Sequence, residues 1–201
     1  MMTTIEIGRL LRAGTTGFIA GCSVSQFNVP SFGALVVAKP EGNDNYKIYG
    51  LIHDIHIDDD GLVRQLVTAD NVTNEVMRDN RERRIVPVEM SVLAVGYEQD
   101  GRIFHLLPPR PPLSLDLIYL CDDQELARFT SAGRFGYFRH ILRAQDVPIG
   151  EVLAAHIQQA ALAHGKLAEA WKEDATKELI TLLRDDYPAL MSVLGALGEV
   201  V

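Results

Sequence analysis

Residues 33–57 read GALVVAKPEGNDNYKIYGLIHDIHI, which is two apolar runs separated by a polar turn. Both runs are rich in valine, isoleucine or tyrosine, and these residues favour β-strands. The intervening EGND at residues 41–44 has the composition of a tight turn. Runs of the same kind occur at residues 5–11, 17–24, 33–39, 46–57, 63–68, 85–95 and 102–107. The N-terminal part of the chain is therefore predicted to form a sheet of short strands.

Turn residues separate the predicted strands. The segments DDDG at residues 58–61 and QDG at residues 99–101 both end in glycine, and the second joins two apolar runs as a β-hairpin does. Short strands at this spacing are typical of an antiparallel barrel or sandwich. We predict an α+β fold in which residues 1–122 form a small antiparallel β-barrel. Residues 71–84 are polar and interrupt the strands, as a short helix or as a crossover between strands.

The hydrophobic period changes to that of helices near Asp122. Either Asp122 or Asp123 is a suitable N-cap for a first helix. Pro148 suits the first turn of a long amphipathic helix. The apolar stripe of this helix comprises Ile149, Val152, Leu153, Ile157, Ala160, Ala161, Leu167, Ala168 and Trp171. Since such a stripe must be buried, it is expected to pack on the barrel or on a neighbouring subunit.

Two further helices are predicted near the C-terminus. Asp174 is expected to cap one of them and Asp186 the other. Residues 123–201 are therefore expected to form a helical C-terminal region. Between barrel and helices, residues 106–113 read LLPPRPPL. Because proline cannot continue a central strand, the chain is expected to leave the sheet here in an extended conformation.

The composition is that of a globular protein, with 47% hydrophobic and 23% charged residues. A formal net charge of −8 disfavours general binding to a nucleic-acid backbone. No apolar run approaches the roughly 18 residues of a membrane span, so no membrane interaction is expected. The N-terminus lacks the pattern of a signal peptide. Cys22 and Cys121 lie in apolar surroundings, which predicts two buried free thiols and a cytoplasmic location.

Two histidines, His53 and His56, precede three aspartates and are the candidate metal ligands. Residues three apart on a strand point to opposite faces, so these side chains converge only on a helix or at a bulge. We therefore expect no metal site. The sequence has no G-x-x-x-x-G-K-[ST] phosphate-binding loop and no recognisable catalytic motif. No catalytic residue and no cofactor are predicted, although active sites also form from residues that are far apart in sequence.

A basic and aromatic segment contrasts with the acidic composition. Residues 126–145 contain no acidic residue, and four aromatic side chains lie among their basic ones. The candidates for binding a partner or a phosphate are Arg128, Arg134, Arg139 and Arg143, accompanied by His140. The segment could bind a phosphate-bearing partner, with rings that stack on bases. It could also dock on an acidic surface of a neighbouring subunit, or form a helix with buried rings and solvated arginines.

Three stretches of the predicted barrel resemble a known family. They are IGRLLRAGTTGFIAGCSV at residues 7–24, VPSFGALVVAK at residues 29–39 and YKIYGLIHDI at residues 46–55. Their glycines and apolar alternation, at Gly8, residues 33–37 and residues 49–52, resemble the HAS-barrel. This is the N-terminal barrel shared by HerA-type DNA-translocating ATPases and the alpha and beta subunits of ATP synthase. The proline-rich segment at residues 106–113 is similar to the exit of such barrels, and the resemblance extends to about residue 130.

The resemblance implies a role in assembly. Barrels of this family pack side by side into a collar above an ATPase ring. The resemblance therefore implies that the chain forms a homo-oligomer or binds a HerA-like ATPase. ATP hydrolysis is not implied, because the phosphate-binding loop of the motor domain is absent. A non-catalytic assembly or adaptor module is therefore the function expected first.

Two alternatives belong to other functional classes. A small-molecule-binding protein or enzyme with a cleft between barrel and helices predicts a pocket with converging polar groups. A nucleic-acid-associated factor that uses residues 128–143 is the lesser alternative, because the chain is acidic. It predicts salt-sensitive binding that weakens when Arg134 and Arg139 are replaced by alanine.

Overall fold

The computed structural model describes residues 5–22, 31–43, 45–57, 73–75 and 88–199. In these residues the strands are β1 Ile5–Ala13, β2 Gly17–Cys22, β3 Leu35–Lys39, β4 Tyr46–Ile57, β5 Val88–Gln99, β6 Arg102–Phe104 and β7 Leu117–Leu120. Six of the predicted strands are confirmed, with ends that differ by a few residues. The strand predicted at residues 63–68, the turn at 58–61 and most of residues 71–84 lie outside the described residues.

Six strands close into an antiparallel barrel. Their order is β2-β1-β7-β3-β4-β5, and β5 pairs in turn with β2, which closes the ring. Strand β6 lies outside the ring and pairs with the far end of β5. Closure of the ring removes the unpaired edges that an open sheet would present. The antiparallel barrel predicted from the sequence is confirmed.

Strand β7 is absent from the sequence-based prediction. The chain leaves the sheet after β6, as residues 106–113 predict, but it returns at Leu117 and inserts between β1 and β3. Asp116 holds this return in place, since its carboxylate accepts hydrogen bonds from the amides of Leu113 at 2.7 Å and Glu41 at 3.2 Å. Four residues are too few for a detectable hydrophobic period.

The interior of the barrel is an apolar core made by alternate residues of its strands. This inner core includes Ile7, Leu10, Phe18, Val36, Ile48, Ile52, Met90, Val92 and Ile118. Val36, Ile48, Ile52 and Val92 lie in strands that the sequence predicts, and all four are buried in this core. Phe104 is not part of this core, because β6 lies outside the ring. It is half-buried and stacks on Tyr97, with ring centroids 5.0 Å apart.

Five helices follow the barrel: α1 Asp123–Ser131, α2 Phe138–Leu142, α3 Ile149–Ala163, α4 Ala168–Leu182 and α5 Tyr187–Glu199. Helices α1, α2 and α3 cover the outer face of strands β3, β4 and β5, and helices α4 and α5 pack on α3. There the outward-facing residues of the barrel share a second, outer core with the helices, which includes Leu35, Val37, Tyr49, Leu51, Phe129, Tyr137, Phe138, Leu153, Ile157 and Trp171. The predicted fold class, a barrel followed by helices, is confirmed.

Two of the predicted helix starts are confirmed by their capping bonds. The Asp122 carboxylate accepts a hydrogen bond from the Glu125 amide at 2.8 Å, and Asp186 accepts one from the Ala189 amide at 3.1 Å. Pro148 is the N-cap residue of α3 and so lies one residue before the first turn, in which the sequence predicts it.

The prediction of one continuous helix from Ile149 through Trp171 is wrong, because the structure divides this helix in two. It breaks at the 3₁₀ turn Gly165–Leu167, where Gly165 has a φ of +55°. Helix α4 begins at Ala168, so Asp174 lies inside this helix and does not cap it. Leu167, which the predicted stripe includes, is 66% exposed. The rest of the stripe packs within the chain itself.

Both cysteines, Cys22 and Cys121, are buried and free, as predicted. Burial raises the pKa of each thiol, which keeps both neutral. Within the described residues, no helix combines the length and the apolar character that crossing a bilayer requires.

Candidate functional site

A row of outward-facing residues crosses four neighbouring strands of the barrel. Arg12 of β1 is opposite Ile19 of β2, which is opposite Ser91 of β5. Ser91 is opposite Asp54 of β4, and a β-bulge leaves His53 as an extra residue beside this row. Opposed residues of neighbouring strands project to the same face of a sheet. Helix α2 lies over this part of the barrel surface.

Helix α2 presents basic side chains to this surface. Phe138 and Ile141 anchor the helix, because both are fully buried. Arg139 donates a hydrogen bond to the carbonyl oxygen of His105 at 2.5 Å, and His140 Nε2 lies 3.2 Å from the same oxygen. These contacts attach α2 to the segment that follows β6 and orient Arg139.

A cleft of about 860 Å³ lies between the barrel and α2. Three arginines line it, namely Arg12 of β1, Arg139 of α2 and Arg143 just after α2. His53 and His140 line it as well. Neutral lining residues include Thr16, Phe18, Ser91, Val92, Leu93, Leu107, Gln145 and Val147. Among the described residues, no carboxylate lines the cleft.

The positive charge of the cleft has little compensation from the chain. Within the described ranges, the guanidinium groups of Arg12 and Arg143 have no hydrogen bond and no ion pair, and that of Arg139 bonds to a neutral carbonyl. Burial lowers the pKa of His53, and the nearby Asp54 carboxylate offsets only part of this shift. Burial and the charges of Arg139 and Arg143 lower the pKa of His140, and its bond to the His105 carbonyl offsets only part of that shift. Both imidazoles are therefore neutral at pH 7, and the arginines carry the charge.

His53 lines the cleft and carries an unsatisfied polar atom. Its Nδ1 is buried and has no hydrogen-bond partner in the part of the chain that the structure describes. Leaving a buried polar atom unpaired costs roughly 1–3 kcal/mol, so such atoms mark places where a ligand or water completes a site. The bulge at His53 is what gives this side chain its position beside the row.

The two candidate metal ligands lie in different surroundings. His53 is half-buried at the cleft, whereas His56 is exposed near the end of β4. The described residues contain no group of three histidine, cysteine or carboxylate side chains that could hold a metal ion.

Arg128 lies away from the cleft, in a network that joins α1 to the barrel. It donates a hydrogen bond to the Glu98 carboxylate at 2.5 Å and lies 3.7 Å from Glu125. Tyr49 donates to the same Glu98 carboxylate at 2.7 Å, and Lys47 lies 3.6 Å from it. Burial raises the pKa of Glu98, but the bonds from Arg128 and Tyr49 and the charge of Lys47 lower it overall. Arg128 is thus engaged within the chain.

The four arginines predicted to bind a partner or a phosphate therefore lie in different parts of the structure. Arg134 is exposed on the 3₁₀ turn Gly133–Phe135 and does not line the cleft, while Arg128 is paired with Glu98. Arg139 and Arg143 are the two that the structure brings together.

The aromatic residues of the same segment belong to the outer core. Phe129, Tyr137 and Phe138 have no exposed surface, and Phe135 packs against Phe138 and Trp171. The three fully buried rings are consequently not available to stack on bases.

Sequence reasoning missed Arg12. It lies within RLLRAGTTG at residues 9–17, just before the turn between β1 and β2. A single arginine at the end of a strand has no distinguishing pattern. Its proximity to α2, more than a hundred residues later, depends on the closure of the barrel.

No protein-family model matches the chain, and no curated protein matches it either. The closed antiparallel barrel is consistent with a small barrel domain. The geometry of the cleft is accordingly the basis for a functional assignment.

Proposed function

We propose that the protein is a non-catalytic binding module that holds a small anionic ligand in the cleft between the barrel and helix α2. The charge of the cleft carries this proposal: Arg12, Arg139 and Arg143 line it, and none of its described lining residues is a carboxylate. Guanidinium groups bind phosphate and carboxylate through paired hydrogen bonds. The chain as a whole has a net charge of −8, so the positive charge of the cleft is opposite in sign to that of the protein.

The size and the free hydrogen-bonding groups of the cleft support a small molecule. Its volume of about 860 Å³ lies in the range of roughly 300–1,000 Å³ that is usual for ligand pockets. Arg12 and Arg143 would bond to an anion without giving up an ion pair in the described part of the chain. Neutral His53 and His140 add polar contacts without adding charge.

Isothermal titration calorimetry with sulfate, inorganic phosphate and citrate at low ionic strength tests this function. At least one of these anions should bind, and Arg143→Ala should weaken binding by roughly tenfold or more, because a hydrogen bond to a charged group contributes about 1.5–3 kcal/mol. Arg184→Ala is the matched control, since Arg184 is exposed and pairs with Asp185. Failure of all three anions to bind, or equal losses in both variants, would overturn the proposal.

A second candidate is the assembly module implied by the resemblance to the HAS-barrel. The observation that favours it is a fixed loop with exposed leucines after β6. Leu113 and Leu115 are 69% and 68% exposed. The Leu115 amide donates to the Leu10 carbonyl at 2.8 Å, and Leu115 has a φ of +73°, which is costly for a leucine. Exposed apolar side chains that form a contiguous patch are typical of protein interfaces.

We propose for this candidate that copies of the chain associate through the loop that carries Leu113 and Leu115, with a HerA-like ATPase as the further partner that the resemblance implies. The amphipathic stripe of the helices does not supply the interface, because Ile157 and Trp171 are buried within the same chain.

Sedimentation velocity at micromolar concentrations tests this association. The wild-type protein should sediment above the 22.2 kDa monomer mass, and Leu113→Asp with Leu115→Asp should return it to that mass. Leu162→Asp is the control, because Leu162 is 75% exposed on the helical side. A single 22.2 kDa wild-type species at all concentrations would contradict self-association.

A further inference from the structure

The residues that line the cleft indicate which kind of anion it binds. This inference rests on the anion-binding function proposed above. We propose that the ligand is a phosphate monoester of a small, hydroxyl-bearing organic molecule. Its phosphate is held by Arg12, Arg139 and Arg143, and a hydroxyl group of its organic part bonds to His53.

The number of arginines favours phosphate over carboxylate. Arg12 lines the cleft on the barrel side, whereas Arg139 of α2 and Arg143 just after α2 line it on the helical side. Each guanidinium fork offers two parallel N–H donors. A phosphate monoester has three terminal oxygens and a charge of about −1.5 to −2 at pH 7, so it satisfies several forks at once. A single carboxylate has two oxygens and one charge.

The volume and the apolar wall favour an organic ester over the free ion. A phosphate ion is small beside a cleft of about 860 Å³. Leu93, Leu107 and Val147 form part of the lining and are not fully buried. An inorganic ion would leave these side chains facing water, while an organic group would cover them.

His53 indicates what the organic group carries. In the closed ring, Arg12 of β1 is separated from β4 by three strand spacings, or about 14 Å measured around the barrel wall. His53 therefore lies toward the other side of the cleft from Arg12. Its buried Nδ1 has no partner among the described residues. A hydroxyl group both donates and accepts, so a ligand hydroxyl that reaches Nδ1 as the ring turns toward the cleft would satisfy it in either tautomer of the neutral imidazole.

Calorimetry with matched ligand probes tests the inference. We expect ribose 5-phosphate or adenosine monophosphate to bind about tenfold more tightly than inorganic phosphate, and ribose and adenosine not to bind detectably. His53→Phe should weaken binding of the monoester by about 3- to 10-fold and leave the affinity for inorganic phosphate unchanged. His53→Asn, which retains a polar atom near the position of Nδ1, should preserve part of the monoester affinity.

The outcomes separate this inference from the function on which it rests. If sulfate and inorganic phosphate bind as tightly as both monoesters, or if His53→Phe changes nothing, the ligand class is overturned while anion binding stands. If no anion binds, the proposed function and the inference both fail. Thermal melting of each His53 variant shows that a loss of binding is not a loss of folding.

Discussion

His156 lies fully buried where helix α3 meets the barrel. Its Nδ1 is 3.3 Å from the Gly33 carbonyl oxygen, and its Nε2 is 3.0 Å from the Tyr137 hydroxyl. Nδ1 donates to the carbonyl and Nε2 accepts from the hydroxyl, so both nitrogens are satisfied in the neutral ring. Burial lowers the pKa of His156 from 6.5 to about 4, and the bond to Gly33 offsets only part of this effect.

This pKa predicts a loss of stability in acid. The unfolded chain binds a proton at His156 near pH 6.5 and the folded chain only near pH 4. The contribution of His156 is therefore fully present above pH 6.5 and falls by about 3 kcal/mol as the pH drops to 4. Urea denaturation across this range should show a larger loss for the wild type than for His156→Gln. The difference between the two proteins isolates His156, and equal losses would contradict the assignment.

At the scale of elements, the break between α3 and α4 depends on Gly165. Its φ of +55° lies in the left-handed region, which costs other L-residues roughly 1–2 kcal/mol. The His164 amide just before it bonds to the carbonyls of Ala160 and Ala161, which ends α3. Apolar residues continue at helical spacing on both sides of the break, so the pattern alone does not reveal it.

Two glycine substitutions should have opposite effects on stability. A Cβ at Gly165 would contact nothing within 4 Å, so Gly165→Ala is penalised by backbone conformation alone and should destabilise by about 1 kcal/mol. Gly195, which also has open space around it, lies inside α5. Gly195→Ala should stabilise by about 0.5–1 kcal/mol, since alanine is the better helix former. The denaturant midpoint of each variant measures its change in stability. If both variants changed stability in the same direction, backbone conformation would not be the cause.

At the scale of the whole molecule, the outer core joins the barrel to the helices. Leu35, Tyr49 and Leu51 of the barrel belong to the same core as Ile157 and Trp171 of the helices. Without the other part, the barrel and the helices would each expose the apolar residues that they contribute to this core. The barrel and the helical region, divided at residue 122 by their sequence patterns, are therefore expected to unfold together.

Trp171 offers a direct measurement of this coupling. It is the single tryptophan of the chain, is 8% exposed and stacks on His164, with ring centroids 4.9 Å apart. Its fluorescence reports on the helical region, and far-UV circular dichroism reports on the whole chain. Both signals should give one coincident transition in denaturant. Two separated transitions would instead indicate two independently stable domains.

Most of the elements could be predicted from local sequence. Strand β4 agrees at both ends with the apolar run at residues 46–57, and Asp122 caps α1 as predicted. These features depend on neighbours within a few residues, through periodicity and capping bonds. The exceptions are β7, which is too short to show a period, and the break at Gly165, where a backbone angle interrupts a continuous apolar stripe.

The sequence by itself determined that the chain forms a barrel followed by helices, and that residues 128–143 carry its unusual arginines. Only the tertiary structure decided what each arginine does. Arg128 pairs with Glu98, whereas Arg139 and Arg143 share a cleft with Arg12 and His53. The physical reason is that strand register, a bulge in β4 and the docking of α2 set these positions, and each depends on contacts between residues that are distant along the chain.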